Sequence, residues 1–124
     1  MNKAVFLLIL ASVALSSLAQ IVLKAGMSSG GVVQGLAGGL RWSAVASIAA
    51  SPLVWAGLGV YFASAAVWLL VLARVEVSLA YPFVGLGFVL TMLLGWLVYG
   101  DALTPARIGG TLLIATGVAI LARG

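Results

Sequence analysis

Four long hydrophobic stretches alternate with short polar breaks along the chain. They run over residues 4–23, 53–73, 77–99 and 105–122. A helix needs about 20 mostly apolar residues to cross the hydrocarbon core of a bilayer, and each stretch is close to that length. The pattern predicts an all-α integral membrane protein whose four transmembrane helices form a single domain over residues 1–124.

Short polar segments separate the last three stretches. Only Arg74-Val75-Glu76 lies between the second and the third, which predicts a tight antiparallel hairpin. Thr104 followed by Pro105 is typical of an N-cap and a first-turn proline, so we expect the fourth helix to begin there.

The connection between the first two stretches, residues 25–52, is much longer. It opens with glycines and serines, which favour a flexible turn, and continues with a mildly apolar run over residues 36–50. Glycine and Arg41 interrupt that run, so we predict a partly helical connection at the membrane interface. A fifth transmembrane helix is the alternative.

The first hydrophobic stretch also has features of a secretory signal. Lys3 precedes the apolar run, and Ser17-Leu18-Ala19 is a plausible cleavage site. The apolar run continues beyond that site through residues 21–23. We therefore expect a transmembrane helix that is retained.

Composition supports a membrane location. The 124 residues are 65% hydrophobic and 6% charged, whereas a soluble domain has roughly 25% charged residues. The net charge of +4 is dispersed between the hydrophobic stretches and forms no patch, which argues against a nucleic-acid partner. Membrane lipids, including anionic head groups, are the expected surroundings.

The side chains needed for most enzyme chemistry are missing. The chain has no cysteine and no histidine, and its two acidic residues, Glu76 and Asp101, fall in separate loops on opposite sides of the membrane. We therefore expect no catalytic residues, no metal site and no cofactor, and a protein that is not an enzyme.

A polar stripe runs along the first helix. Ser12, Ser16, Gln20 and Lys24 recur every four residues within an otherwise apolar sequence. Polar groups in hydrocarbon are costly unless they are paired, so this stripe is expected to face protein or a wet cavity. Two alternatives stay open: the serines bond back to their own helix, or Lys24 only extends to the interface.

Two aromatic residues lie on either side of the predicted hairpin, and several helix-perturbing or small residues follow in the third stretch. Trp68 and Tyr81 flank the hairpin and are expected to lie deeper than the other aromatic residues. Pro82 removes a backbone donor and loosens the first turn. Gly85 and Gly87 permit close approach of a neighbouring helix or of a lipid chain.

Small residues also align on the fourth helix, where Gly110 and Gly117 lie a heptad apart. Such a face permits close helix crossing. Because four helices hardly enclose a ligand, we expect a dimer across this face. Basic residues are equally divided between the two sides, so the membrane orientation and a parallel or antiparallel dimer stay open.

Several motifs in order resemble the drug/metabolite transporter superfamily. They are residues 19–24 (AQIVLK), 68–72 (WLLVL), 77–82 (VSLAYP), 99–105 (YGDALTP) and 109–111 (GGT). The small four-helix members of that superfamily include the small multidrug resistance exporters and the subunits of the 4-amino-4-deoxyarabinose-phosphoundecaprenol flippase.

Two departures separate these branches. The exporters' membrane glutamate, which exchanges protons for cationic drugs, falls on Ser16, and their drug-stacking tryptophan falls on Val84. The spacing from Gln20 to Lys24 and the Ala80-Tyr81-Pro82 sequence are similar to the flippase subunits.

The resemblance implies a flippase, or a flippase subunit, that translocates a polyprenyl-phosphate-linked sugar across the bacterial inner membrane. Its substrate is expected to be anionic, and its partner a second copy or a related small subunit. The residues expected to bind substrate are Ser16, Gln20, Lys24, Trp68, Arg74 and Tyr81. Two alternatives remain: an exporter of amphipathic metabolites or drugs, and a non-transporting accessory subunit.

Overall fold

The computed structural model describes residues 3–123; Met1, Asn2 and Gly124 of the predicted domain lie outside the described residues. The described chain folds into seven α-helices: α1 Lys3–Met27, α2 Gly30–Leu36, α3 Trp42–Ala49, α4 Pro52–Leu72, α5 Val77–Ala80, α6 Val84–Tyr99 and α7 Pro105–Arg123. A 3-10 turn, Tyr81–Phe83, links α5 to α6. Together they form one helical run over Val77–Tyr99.

The predicted fold class is confirmed. Four helical runs are long and apolar enough to cross a membrane: Lys3–Met27, Pro52–Leu72, Val77–Tyr99 and Pro105–Arg123. The long connection is partly helical, as predicted. Its helices α2 and α3 have seven and eight residues, far too few to span a bilayer, so the alternative of a fifth span is wrong.

Local capping explains where the long helices begin and end. Ser51 Oγ accepts a hydrogen bond from Val54 N at 3.4 Å, with Pro52 in the first turn of α4. Thr104 Oγ1 accepts one from Arg107 N at 3.2 Å, which confirms the predicted N-cap of α7. Gly100 ends α6 with a φ of 68°, a left-handed conformation that glycine adopts without steric cost.

Helix α1 is the centre of the bundle. Helix α4 packs antiparallel along it, α6 packs on another side of it, and α7 packs on α6 and on the 3-10 turn. In the most hydrophobic window of α1, 33% of the residues are buried within the chain, compared with 6% for α7. Most of α7 is therefore left to contact lipid or another protein.

Apolar side chains fill the end of the bundle that carries the α4–α5 hairpin. The core cluster there consists of Val5, Ile9, Val13, Val71, Ala80, Phe83 and Val118. The rings of Phe6 and Phe83 meet edge to face, with their centroids 6.4 Å apart. This cluster ties the 3-10 turn to the first half of α1 and so fixes where α6 begins.

At the opposite end, α1 and α4 approach closely through glycine. A Cβ atom at Gly57 would lie 2.7 Å from Leu23 Cγ and 3.0 Å from Leu23 N. A Cβ atom at Gly26 would lie 2.8 Å from Val54 N. Because backbone atoms are among these neighbours, the two helices can pack this tightly only where the side chain is absent.

Candidate functional site

A cleft with several polar side chains in a mainly apolar lining lies between α4 and α6, with α1 as its floor. Both helices pack on α1 but make little contact with each other, so the gap between them stays open. The cleft has two compartments, of about 250 Å³ and about 530 Å³. Four residues line both compartments: Ser16, Tyr61, Val84 and Gly87. The compartments are therefore neighbours, and together they form one cleft.

The cleft extends over part of the membrane depth. Along α1 it reaches from Ser12 in the smaller compartment to Gln20 in the larger one. At 1.5 Å per residue, these two positions are about 12 Å apart along the helix axis. The hydrocarbon core is about 30 Å thick, so the lined part of α1 covers a substantial fraction of the crossing distance.

Hydrogen bonds between helices hold the walls of the cleft in place. Ser12 Oγ donates to the Ser64 carbonyl at 2.9 Å, and Ser64 Oγ donates to the Ser12 carbonyl at 2.8 Å. On the other wall, Ser17 Oγ donates to the Gly87 carbonyl at 3.2 Å. These bonds satisfy hydroxyl groups that are costly to bury, and they bridge from α1 to each wall.

A longer-range bond fixes the far end of α6. Tyr99 Oη donates to the Ile21 carbonyl at 2.5 Å. This bond attaches the last turn of α6 to the second half of α1. It places the loop that follows α6 at the same end of the bundle as Gln20.

The smaller compartment lies nearer the hairpin and brings three of the predicted site residues together. Ser16, Trp68 and Tyr81 all line it, beside the Ser12–Ser64 pair. Trp68 is half-buried, whereas Tyr81 is exposed. With Tyr61 beside them, this compartment combines three aromatic side chains with a hydroxyl floor, a surface suited to a sugar ring or an isoprenoid unit.

The larger compartment lies towards the opposite end and is charged. It is lined by Gln20 and Thr91 together with Asp101 and Arg107. Sequence reasoning missed the last two, because Asp101 in the loop after α6 and Arg107 in the first turn of α7 are at least 81 positions from Gln20. The signal that could have found them is the antiparallel order of the spans, which puts the end of α1, the end of α6 and the start of α7 on one side.

The other predicted binding residues lie outside both compartments. Lys24 is exposed in the last turn of α1, and Arg74 is exposed in the turn between α4 and α5. The structure thus brings together Ser16, Gln20, Trp68 and Tyr81, and not the two cationic residues. A role for Lys24 or Arg74 in substrate binding stays a prediction.

The predicted dimer face is uncovered in the single chain. Gly110 and Gly117 are both exposed, and a Cβ atom at either position would meet no neighbouring atom within 4 Å. By contrast, a Cβ atom at Gly85 would lie 2.7 Å from Ile114 Cγ2. Gly85 therefore serves packing of α6 on α7 within the chain, while the use of Gly110 and Gly117 in a dimer stays a prediction.

The two positions that distinguish this chain from the exporters both face the cleft. Ser16 and Val84 line each compartment. The middle of the cleft thus carries a hydroxyl and an aliphatic group where the exporters carry a carboxylate and a tryptophan. The carboxylate of this cleft, Asp101, instead lies at one end, in the compartment that Arg107 also lines.

Comparisons with known proteins agree with these observations. A relative from Pseudomonas savastanoi pv. phaseolicola is 35% identical over 123 residues, which is 95% of this chain and 96% of the relative. One from Pseudomonas paraeruginosa is 42% identical over 73 residues, 59% of this chain, and one from Salmonella enteritidis is 37% identical over 71 residues, 56% of this chain. The last two matches each span 64% of the relative's length, just under two thirds. No family model and no solved structure matches the chain.

The fold and the cleft define a multi-pass membrane protein of the transporter class. All three relatives carry the name probable 4-amino-4-deoxy-L-arabinose-phosphoundecaprenol flippase subunit ArnE. The chain belongs to this family of flippase subunits, as the near full-length match to the Pseudomonas savastanoi relative shows.

Proposed function

We propose that this protein is a subunit of a flippase in the bacterial inner membrane, and that it moves an amino sugar linked to undecaprenyl phosphate between the two leaflets. The observation that carries the proposal is the cleft between α4 and α6, whose two adjoining compartments place polar groups within the membrane-spanning bundle. Its lining combines hydroxyl, amide, aromatic and charged groups within an otherwise apolar bundle.

A lipid-linked sugar needs two different environments at once. Its head group is polar, so crossing the hydrocarbon core is costly unless hydrogen-bond partners replace water. Its polyprenyl chain is apolar and is most stable in lipid. In the described chain α7 packs on α6 and leaves the gap between α4 and α6 uncovered, which lets the lipid tail remain in the bilayer while the head group occupies the cleft.

The uncovered surface of α7 supports a partner. Only 6% of its most hydrophobic window is buried within the chain, and Gly110 and Gly117 are open. The name of the relatives, flippase subunit, supports the same view. We propose that a second small subunit, identical or related, packs on this face and completes the wall of the cleft.

The experiment is a binding measurement on the purified protein by native mass spectrometry. Undecaprenyl phosphate carrying 4-amino-4-deoxyarabinose is offered together with a quaternary ammonium drug. We expect retention of the lipid-linked sugar, with at least about tenfold weaker retention by Gln20→Ala, because the cleft then loses an amide with several donors and acceptors. Leu18→Ala, an exposed apolar position on the same helix, is the control and should bind as the wild type does.

Two outcomes would overturn the proposal. Preferential retention of the cation would place the protein with exporters of amphipathic drugs or metabolites. If the folded protein, supplied with its partner subunit, retains neither compound, the result would favour a non-transporting accessory subunit.

A further inference from the structure

Two side chains of opposite charge line the larger compartment, although charged residues are rare in this chain. The sequence has only two acidic and six basic residues, yet Asp101 and Arg107 line the same space of about 530 Å³. The remaining acidic residue, Glu76, lies at the opposite end of the bundle and lines neither compartment of the cleft. This juxtaposition distinguishes one end of the cleft from the other.

The backbone holds Asp101 at the compartment. The left-handed Gly100 turns the chain sharply after α6, and Asp101 N donates to the Gly95 carbonyl at 3.3 Å. The carboxylate then lies against Gly95, where a Cβ atom would come within 2.5 Å of Asp101 Oδ2. Because Gly95 has no side chain, the Asp101 carboxylate can occupy this space.

Arg107 is held by the same loop and not by the carboxylate. Its Nη1 donates to the Ala102 carbonyl at 2.8 Å, and its backbone N–H is capped by Thr104 Oγ1. A guanidinium group has five N–H donors, so the bond to Ala102 leaves others for a ligand. The loop and the first turn of α7 thus present a separate negative and a separate positive group to one compartment.

This arrangement suits a ligand that carries both signs of charge. The relatives are named for a 4-amino sugar joined to a phosphate, which is an ammonium group beside a phosphodiester at neutral pH. A guanidinium group binds phosphate oxygens in a fixed, bidentate geometry, and a carboxylate accepts hydrogen bonds from an ammonium group. A neutral sugar in the same place would leave the carboxylate without its partner, which is the basis of discrimination.

We propose that Asp101 and Arg107 form a zwitterion-binding site at the end of the cleft, in which Arg107 binds the phosphate of the lipid and Asp101 selects sugars that carry an amino group. This proposal rests on the proposed function and adds the determinant of substrate choice. Asp101, a loop residue, then determines which sugar is bound, and the rest of the cleft is the path that the head group follows.

The test compares two ligands and three variants by native mass spectrometry. The ligands are undecaprenyl phosphate with 4-amino-4-deoxyarabinose and undecaprenyl phosphate alone. In Asp101→Asn, we expect the preference for the amino sugar lipid to fall about tenfold while binding of undecaprenyl phosphate is retained. In Arg107→Gln, we expect binding of both ligands to weaken together. Glu76→Gln, the matched change of the other carboxylate, should alter neither.

A fourth variant keeps the proposal testable if Asp101→Asn disturbs the loop. Gly95→Ala leaves every charge in place but displaces the carboxylate, so it should also lower the preference for the amino sugar. An unchanged preference in both Asp101→Asn and Gly95→Ala, with a wild type that does prefer the amino sugar lipid, would overturn the selectivity role alone. A wild type that binds neither lipid would instead count against the proposed function.

Discussion

Replacing Ser16 with tryptophan is expected to reduce translocation of the lipid-linked amino sugar to the level seen without the protein. Ser16 lines both compartments, so it lies where they meet. A tryptophan side chain there would fill the space that joins them and would replace a hydroxyl with an apolar ring. A head group could still reach one compartment, but it could no longer pass to the other. Transfer of the amino sugar to the outer leaflet in cells or proteoliposomes is the measurement.

The control is Leu18→Trp on the same helix. Leu18 is 49% exposed and lies two residues from Ser16, which places it on nearly the opposite face of α1. This variant introduces the same side chain outside the cleft, so translocation should continue. Normal translocation by Ser16→Trp at normal protein abundance would show that the head group does not use this path.

Replacing Gly57 with alanine is expected to lower the free energy of unfolding by about 1–3 kcal/mol, the usual cost of overpacking a well-packed contact. The new Cβ atom would lie within 2.8 Å of two Leu23 side-chain carbons and 3.0 Å from Leu23 N. A rotamer change of Leu23 can relieve the first clash, but the backbone contact requires α1 and α4 to separate. Unfolding by steric trapping or by detergent titration measures the effect.

Gly59→Ala provides a matched control two residues further along α4. A Cβ atom at Gly59 meets nothing within 4 Å, so this variant should be as stable as the wild type or slightly more stable, because alanine favours helix. Equal stability of the two variants would contradict the close packing of α1 against α4.

The sequence predicted the helices well because their determinants are local. Each span is a run of apolar residues whose length matches the bilayer, and the start of α7 is specified by the adjacent Thr104 and Pro105. The weak hydrophobicity and the glycines of residues 25–52 correctly separated the two short helices from the spans. None of these features depends on how the helices pack.

The polar stripe was predicted only in part, for a geometric reason. A spacing of four residues advances 400° around a helix of 3.6 residues per turn, so each step drifts by about 40°. Over the three steps from Ser12 to Lys24 the drift reaches about 120°. Ser12 therefore pairs with Ser64 of α4 at the edge of the smaller compartment, Ser16 and Gln20 line the larger one, and Lys24 lies outside both.

The charged end of the cleft could not be predicted from local pattern. Asp101 and Arg107 lie in and after a short loop, and their proximity to Gln20 depends on the packing of α6 on α1. The glycine that accommodates the Asp101 carboxylate, Gly95, resembles any other small residue of a transmembrane helix until the loop is placed over it. Such long-range relations appear only in the folded chain.

The central claim is that the head group of the lipid occupies the cleft, and labelling of one introduced cysteine tests it most directly. The chain has no cysteine, so Ser16→Cys creates a single thiol where the two compartments meet. We predict reaction with a water-soluble maleimide, and protection from it by the lipid-linked amino sugar but not by a quaternary ammonium drug. A thiol that does not react, or that reacts equally with and without the lipid, would contradict the account.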